Sequence, residues 1–311
     1  MTLSGVAEPV LKWAGGKRQL LEELYARFPE TFDSYREPFL GGGAVFFDLA
    51  PAEASLNDAN PRLVNVYEQV RDRPEELIAR LESFRDPEGD TDESRAFAEA
   101  DRDGDAVGNY YYQQRALFNR RPASETFDPL EEAALFVYLN QTCFNGLYRE
   151  NADGEFNVPI GRYADPDWVQ CDRIRAASRA LDGVTVTNQD FEAAIEEAGA
   201  GDLVYCDPPY EPMSPTADFT EYSADGFDRD DQERLVETVR RLDERGVWVV
   251  LSNSGVTYDR YREAGLWVER VGATRAINSD ADNRDEVDEI VATNVPPAKR
   301  RGRSQSSLGE F

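Results

Sequence analysis

The chain of 311 residues contains no histidine. This absence excludes Ser-His-Asp triads, Cys-His catalytic pairs and histidine-ligated metal sites, so no metal site is predicted. Cysteine is scarce as well: Cys143, Cys171 and Cys206 lie too far apart to form a CxxC pair. We therefore expect no disulfide framework, and a reduced cytoplasm as the compartment.

Long hydrophobic runs are also absent. None approaches the roughly 18 residues that a transmembrane helix needs. The opening segment MTLSGVAEPVLKW lacks the basic stretch and apolar core of a signal peptide. The sequence therefore predicts a soluble, cytoplasmic protein with no membrane partner. Its length and its 41% of hydrophobic residues suit a large α/β domain, alone or with a smaller one.

Lysine is nearly missing from a strongly charged chain. There are 61 acidic residues, 31 arginines and three lysines, and the net charge is −27. Such acidity argues at first against a polyanionic partner such as nucleic acid. It is also the composition expected in a salt-saturated cytoplasm, where salt screens charges within a few ångströms. We interpret the charge as a sign of a halophilic source and draw no conclusion from it about partners.

Three segments differ in composition from the rest. Residues 86–105 hold nine acids and two arginines, which predicts a solvated acidic insertion over 86–108. Residues 109–163 hold eleven aromatics, typical of a contact surface or of a small satellite core, and composition alone favours the core. Residues 298–311 start basic and become Ser-rich, which predicts a disordered tail.

Strand and helix patterns alternate along most of the chain, which predicts a mainly parallel sheet with helices on both faces. The residues 60–170 interrupt the alternation and predict an inserted, mostly helical domain with a β-hairpin over 147–158. The α/β domain would then comprise 1–59 and 171–297. Predicted strands are 35–40, 52–56, 184–187, 202–206, 247–251, 267–271 and 290–293. Predicted helices are 17–28, one from about 44, two ending near 84, then 109–119, 129–141 and 229–244.

A glycine-rich turn, Leu40-Gly41-Gly42-Gly43, connects the first strand to a helix. Nucleotides bind at such turns in open α/β sheets, because glycine lets the backbone approach a ligand. Asp58 ends the next strand and is placed to bind ribose hydroxyls. The third glycine of a dinucleotide fingerprint is replaced by Phe46, and a tight structural turn explains the loop equally well.

The sequence Asp207-Pro208-Pro209-Tyr210 follows a buried apolar strand. Two prolines end that strand at the sheet edge where ligands bind. The Asp207 carboxylate and the Pro208 carbonyl can each accept one N–H of an exocyclic amine, while Tyr210 stacks on its ring. Holding both N–H bonds frees the nitrogen lone pair to attack, so no strong base is needed. Cys206 should point to the opposite face and belong to the core.

A third candidate site is Lys12-Trp13-Ala14-Gly15-Gly16-Lys17, which contains two of the three lysines. A cation on a Gly-rich turn at a helix start suits a carboxylate or phosphate. The alternative is a capping turn without a ligand.

From about residue 9 to 293 the chain resembles the Dam-type, D12-class DNA adenine-N6 methyltransferases. The matching motifs are LKWAGGK, PFLGGGAVF, LNDAN, Asp190-Phe191 and DPPY. The resemblance implies a Rossmann-like methyltransferase sheet, S-adenosylmethionine as cofactor and double-stranded DNA as substrate. Asp207, Pro208 and Tyr210 would serve an adenine flipped out of the helix, and methyl transfer would be direct and in line. The implied cofactor contacts are Trp13, Lys17, Phe39, Gly41, Gly43, Asp58, Asp190, Phe191 and Asp207.

The inserted domain would be the target-recognition domain, since it contains FNGLYR and GEFNVP. In members that read GATC, the position of Arg149 contacts guanine, whose O6 and N7 suit a guanidinium. The resemblance therefore implies GATC, although Gln141-Thr142-Cys143 departs from the pattern. The implied DNA contacts are Lys12, Phe144, Asn145, Leu147, Arg149 and Pro159.

Three other functions compete with this reading. An N4-cytosine methyltransferase would use the same DPPY chemistry, and an inactive relative would only bind DNA. A nicotinamide oxidoreductase is disfavoured by the missing third glycine and the missing histidine. A monomer is expected, which acts alone or beside a cognate restriction endonuclease that it does not bind.

Overall fold

The computed structural model describes residues 7–15, 17–85, 110–120, 128–210, 227–273 and 287–302. The predicted acidic insertion and the Ser-rich end of the tail lie outside these ranges. None of the helices in the described ranges combines the length and the hydrophobicity that a membrane span requires.

The described part of the chain contains one seven-stranded sheet of order β3-β2-β1-β4-β5-β7-β6. All neighbours pair in parallel except β7, which runs antiparallel to β5 and β6. The carboxyl ends of β2, β1 and β4 are therefore adjacent at one edge. The strands are β1 (Tyr35–Glu37), β2 (Ala54–Asn57), β3 (Thr185–Thr187), β4 (Leu203–Cys206), β5 (Trp248–Ser254), β6 (Trp267–Ala273) and β7 (Val287–Thr293).

Helix starts follow the capping residues. The Asn60 side chain accepts from two amides of α3, and Asp228 forms a capping box with Asp231 at α9. The helices are α1 (Leu21–Tyr25), α2 (Ala44–Leu49), α3 (Pro61–Asp72), α4 (Pro74–Ser83), α5 (Tyr110–Asn119), α6 (Pro129–Thr142), α7 (Cys171–Leu181), α8 (Phe191–Ile195), α9 (Arg229–Glu244) and α10 (Tyr258–Glu263). The 3-10 turns are Lys17–Leu20, Phe144–Gly146, Gly255–Thr257 and Pro297–Lys299.

Strand β4 separates two hydrophobic cores. Leu203 and Tyr205 belong to the core that contains α1 and the helices α3–α7, while Val204 and Cys206 belong to the core under α8, α9 and α10. Successive side chains of a strand point to opposite faces. The predicted sheet with helices on both faces is confirmed. Burial in the second core raises the pKa of the Cys206 thiol, which accords with a core cysteine.

The aromatic-rich segment mostly forms a core, the alternative that composition favoured. Helix α6 is buried almost all round and packs against α3, α4 and α5. Phe144 is an exposed aromatic residue of this segment, with 44% of its surface accessible. The buried aromatic residues of this segment are Tyr111, Phe118, Phe136, Tyr138, Tyr148 and Phe156.

Several predicted boundaries differ from the structure. Strand β1 ends at Glu37, because Pro38 has no N–H to continue the ladder. The predicted helix 17–28 is a 3-10 turn followed by the short α1. In place of the predicted hairpin, the chain makes a turn that is closed by one isolated antiparallel bridge between Glu150 and Phe156. The segments on either side of this bridge do not form strands.

The tail is ordered further than predicted. Disorder from residue 298 is wrong for residues 298–302, because their polar groups find partners on the folded chain. Arg300 donates to the Val295 carbonyl at 2.9 Å and to Glu269 at 2.7 Å. The Arg301 amide donates to the Phe28 carbonyl at 2.9 Å. These arginines stabilise the fold, so the tail's charge is not all available to a partner.

Candidate active site

The three predicted motifs converge at the edge of the sheet where β1, β2 and β4 end. The Gly-rich turn follows β1, Asp58 follows β2, and Asp207 follows β4. The third motif reaches this edge through Trp13, which packs on Gly41, and through Lys17, which binds Asp207. The parallel order of the sheet thus assembles residues that are far apart in sequence.

Lys17 and Asp207 form a salt bridge of 2.9 Å between Nζ and Oδ1. The lysine is only 5% exposed, and its Nζ also donates to the Gly15 carbonyl at 2.8 Å and lies 4.6 Å from the Tyr210 ring centre. Burial alone would lower the pKa of Lys17, but Asp207 and Tyr210 together raise it above its usual value. Lys17 therefore stays charged, and its charge favours the carboxylate form of Asp207.

A second donor fixes the same carboxylate oxygen. Ser252 Oγ, from β5, donates to Asp207 Oδ1 at 2.9 Å and lies 2.9 Å from the Tyr205 hydroxyl. No described residue donates to Oδ2. Burial raises the pKa of Asp207, and the contacts with Lys17 and Ser252 oppose that rise. The carboxylate is thus oriented with one oxygen engaged and the other available to an N–H donor.

The Gly-rich turn is closely covered by Trp13. Gly41 has a left-handed φ of +49°, and a Cβ there would lie 2.8 Å from the indole.

The Gly41 amide donates to Asp58 Oδ2 at 2.9 Å, and the Asn60 amide donates to Oδ1 at 2.9 Å. Burial raises the pKa of Asp58, and these two amides oppose the rise. Each carboxylate oxygen of Asp58 keeps a lone pair with which it could accept a hydrogen bond from a hydroxyl group.

A buried carboxyl that sequence reasoning missed lies at the end of β1. Glu37 accepts a hydrogen bond from the Tyr35 hydroxyl at 2.8 Å and is 3% exposed. Burial raises the pKa of Glu37 well above its usual value, and the nearby Asp207 and Asp58 raise it further. Burial and the neighbouring carboxylates therefore favour the neutral acid, and the hydrogen bond from Tyr35 opposes them.

Three aromatic rings meet beside the Gly-rich turn. Phe39 stacks on Phe191 with centroids 5.4 Å apart, and Phe227 meets Phe39 edge-on at 5.5 Å. The rings of Phe39 and Phe191 touch, so a purine would pack on the outside of this pair and not between them. Asp190 caps α8 and forms a two-point ion pair with Arg234, both oxygens at 2.9 Å.

The predicted DNA contacts on the inserted domain lie in one loop cluster. The Phe144 amide donates to the Pro159 carbonyl at 2.9 Å, which joins the two matched segments. Arg149 Nε donates to Asn157 at 2.7 Å, and its terminal nitrogens have no hydrogen-bond partner among the described residues. Of the predicted contacts in this cluster, Leu147 is half-buried, and the exposed ones are Phe144, Asn145, Arg149 and Pro159.

The sixth predicted DNA contact, Lys12, lies at the junction of the two sites. Its backbone is bound by Asn140, and its Nζ donates to the Gln141 carbonyl at 3.3 Å and lies 4.3 Å from the Tyr163 ring centre. Among the residues that the structure describes, no group of three or more acidic or cysteine side chains could hold a metal ion.

The profile described as "D12 class N6 adenine-specific DNA methyltransferase" matches residues 13–278. The chain belongs to this family. It is 38% identical over 288 residues to the type II methyltransferase M1.LlaDCHI of Lactococcus lactis, covering 92% of this chain and 95% of that one. It is 37% identical to the type II methyltransferase M.MjaIII of Methanocaldococcus jannaschii, over 92% of this chain and 99% of that one. It is 34% identical to the DNA adenine methylase of Escherichia coli K12, over 93% and 98%.

The resemblance read from the motifs is therefore confirmed. The protein is an adenine-specific DNA methyltransferase, and its substrates are DNA and a methyl donor.

Proposed function

We propose that this methyltransferase transfers a methyl group from S-adenosylmethionine to N6 of adenine within GATC in double-stranded DNA. The observation that carries the proposal is the oriented Asp207 carboxylate, with Oδ1 held by Lys17 and Ser252 and Oδ2 available. It lies beside a Gly-rich turn and the Asp58 carboxylate, at the edge where open α/β sheets bind nucleotides.

The residues at this edge fit S-adenosylmethionine. Asp58 offers lone pairs to the ribose hydroxyls, and the half-buried Phe39 ring offers apolar surface to the adenine ring. The Tyr210 hydroxyl is buried without a hydrogen-bond partner in the described part of the chain, which is consistent with a polar ligand nearby. The residues that would hold the cofactor are Trp13, Lys17, Phe39, Gly41, Gly43, Asp58, Asp190, Phe191 and Asp207. When bound, S-adenosylmethionine supplies an electrophilic methyl group on its sulfonium.

The protein's own task is to expose the lone pair of the target nitrogen. Asp207 Oδ2 and the Pro208 carbonyl each accept one N–H of N6, so the nitrogen becomes more pyramidal and its lone pair less delocalised. Tyr210 stacks on the flipped base and fixes its plane. N6 must lose one proton after transfer, and Asp207 Oδ2 is the acceptor in place. In-line alignment supplies most of the acceleration, because the groups are held close and oriented.

The loop cluster around Arg149 would read the sequence. The terminal nitrogens of Arg149 can bind guanine O6 and N7 together. Leu147 and Pro159 offer apolar surface to a thymine methyl, and Phe144 and Asn145 are exposed where side chains would enter the duplex. Lys12 would contribute its ammonium from the junction between this cluster and the catalytic edge.

We further propose that the enzyme acts as a cytoplasmic monomer. It would act alone or beside a cognate restriction endonuclease that it does not bind, and two relatives named type II methyltransferases favour the second arrangement.

The proposal is tested by methyl transfer from labelled S-adenosylmethionine to unmethylated plasmid in molar KCl, with the product nucleosides identified and mapped. N6-methyladenine at GATC supports both the chemistry and the Arg149 assignment. The same nucleoside at another sequence rejects GATC. N4-methylcytosine would mean that the enzyme methylates cytosine and not adenine. Cofactor binding without methyl transfer would indicate an inactive DNA-binding relative.

A further inference from the structure

Asn140 connects the predicted DNA-contacting loop, residues 144–149, to the segment that contains Lys12, Trp13 and Lys17. It lies near the end of α6 and is 2% exposed. The Lys12 amide donates to Asn140 Oδ1 at 2.8 Å, and Asn140 Nδ2 donates back to the Lys12 carbonyl at 2.8 Å. Nδ2 also donates to the Gly146 carbonyl at 3.1 Å. The buried side-chain amide of Asn140 thus binds the backbone N–H and carbonyl of Lys12 and the backbone carbonyl of Gly146.

The loop and the segment also touch directly. Gly146 has a left-handed φ of +64°, and a Cβ there would lie 2.4 Å from the Lys12 side chain. Trp13 stacks on Tyr148, with centroids 5.7 Å apart and planes 20° apart. The loop at residues 146 and 148 is therefore packed directly against residues 12 and 13.

The other end of the segment reaches the reacting groups. Trp13 covers the turn at Gly41, and Lys17 binds Asp207. The path from the exposed loop to the catalytic carboxylate is short and made of packed or hydrogen-bonded groups. Asn140 is a buried member of this path, and both ends of its amide are engaged.

We propose that Asn140 is a positioning residue that couples occupancy of the DNA-contacting loop to the geometry of the Trp13–Lys17 segment. The inference rests on the function proposed above. Binding of the cognate duplex would fix the Gly146 carbonyl, and Asn140 would transmit that position to Lys12 and so to Trp13 and Lys17. Cofactor and DNA should then each tighten the binding of the other, because such coupling is reciprocal.

The test measures the dissociation constant of S-adenosylmethionine with and without a duplex that contains one GATC. For the unmodified enzyme we expect the duplex to tighten cofactor binding at least tenfold. We call the dissociation constant without DNA divided by that with DNA the coupling ratio. In Asn140→Ala the coupling ratio should fall below about twofold, while the dissociation constant without DNA should change by less than about threefold. The affinity of the cofactor-bound enzyme for the duplex should fall by the same factor, because the coupling is reciprocal.

The matched control is Asn65→Ala. Asn65 is an amide of the same helical layer, on α3, whose Nδ2 donates to the Pro129 carbonyl at 2.8 Å. Its removal should leave the coupling ratio unchanged.

Three results overturn the inference: no coupling in the unmodified enzyme, the full ratio in Asn140→Ala, or an equal loss in Asn65→Ala. If Asn140→Ala does not fold, Gly146→Ala perturbs the same path from the loop side, and retention of the ratio there overturns it as well. Failure of the proposed function is distinguishable, because the unmodified enzyme would then lack GATC methylation altogether.

Discussion

The two oxygens of the Asp207 carboxylate have different roles. Oδ1 is engaged by a buried lysine and a buried serine, and Oδ2 meets no described donor. A carboxylate held in this way presents one oxygen at a fixed angle to an incoming amine. The asymmetry arises from three separate segments of the chain, since Lys17, Asp207 and Ser252 lie on different elements.

Replacement of Ser252 by alanine should therefore slow the reaction without abolishing cofactor binding. A hydrogen bond to a charged group contributes about 1.5–3 kcal/mol, so its loss should lower the turnover number at least roughly tenfold. Single-turnover methyl transfer at saturating cofactor measures the effect. Ser178→Ala is the control, because Ser178 Oγ on α7 binds only the Arg71 carbonyl at 3.2 Å. An unchanged rate in Ser252→Ala would mean that Lys17 alone orients Asp207.

Glu37 should make stability depend on pH. Its pKa is raised on folding, so its contribution is fully present at acid pH and is lost as the pH rises through the folded pKa. Glu37→Gln removes that dependence, so the variant should gain stability over the parent as pH rises, by up to about 1.4 kcal/mol per pH unit. Urea unfolding between pH 5 and 8 measures this difference. The same change at the exposed Glu53 is the control, and a difference for Glu37→Gln that does not vary with pH contradicts the assignment.

The sequence alone singled out Lys17, Asp58 and Asp207 as candidates, because each lies in a local motif with an unusual composition, and the structure brings the three to one edge of the sheet. It could not predict Ser252 or Glu37. Ser252 reaches Asp207 only because β5 pairs with β4 in a register that places Ser252 one residue beyond the Cys206–Leu251 pair. Glu37 is notable only for its burial, which depends on the packing of the whole sheet.

At the scale of elements, the sequence predicts best where capping and amphipathic patterning agree. The prediction for α9, residues 229–244, matches the structure at both ends, and its start is fixed by the Asp228 capping box. The 3-10 turn at Lys17–Leu20 was mistaken for helix, because its apolar spacing continues that of α1. The hairpin prediction identified the turn at residues 151–154 but not the lack of strand pairing, which tertiary packing decides.

The close cover of the Gly-rich turn by Trp13 gives a prediction about this element. Gly41→Ala should weaken cofactor binding at least tenfold, because its Cβ would collide with the indole at 2.8 Å. Gly183→Ala is the matched control: Gly183 has φ +74°, so it bears similar backbone strain, but nothing lies within 4 Å of its Cβ. Both variants should lose stability, and isothermal titration should detect weaker cofactor binding only in the first. Equal affinities would contradict a role for the Trp13 contact.

At the scale of the whole molecule, the net charge of −27 must be carried on the surface. Several arginines are already engaged in the fold, among them Arg234 with Asp190 and Arg300 with Glu269. The remaining acidic charge repels itself in dilute buffer, and salt relieves that repulsion.

The free energy of unfolding should therefore rise as KCl increases toward molar concentrations. The Debye length is about 3 Å at 1 M, so repulsion between surface carboxylates is largely screened there. Urea unfolding across a KCl series measures the trend, and a parallel sucrose series controls for general exclusion from the surface. Full stability in dilute buffer, with no rise, would contradict the halophilic interpretation of the composition.

The measurement that tests the account most directly compares the unmodified enzyme with Asp207→Ala. A duplex with one GATC is incubated with labelled S-adenosylmethionine in a single turnover, and the product nucleosides are separated. We expect N6-methyladenine from the unmodified enzyme and a rate at least a hundredfold lower from the variant, since the acceptor for the N6 proton is gone. A product other than N6-methyladenine, or an undiminished rate in Asp207→Ala, would contradict the central claim that this carboxylate prepares the amine for methyl transfer.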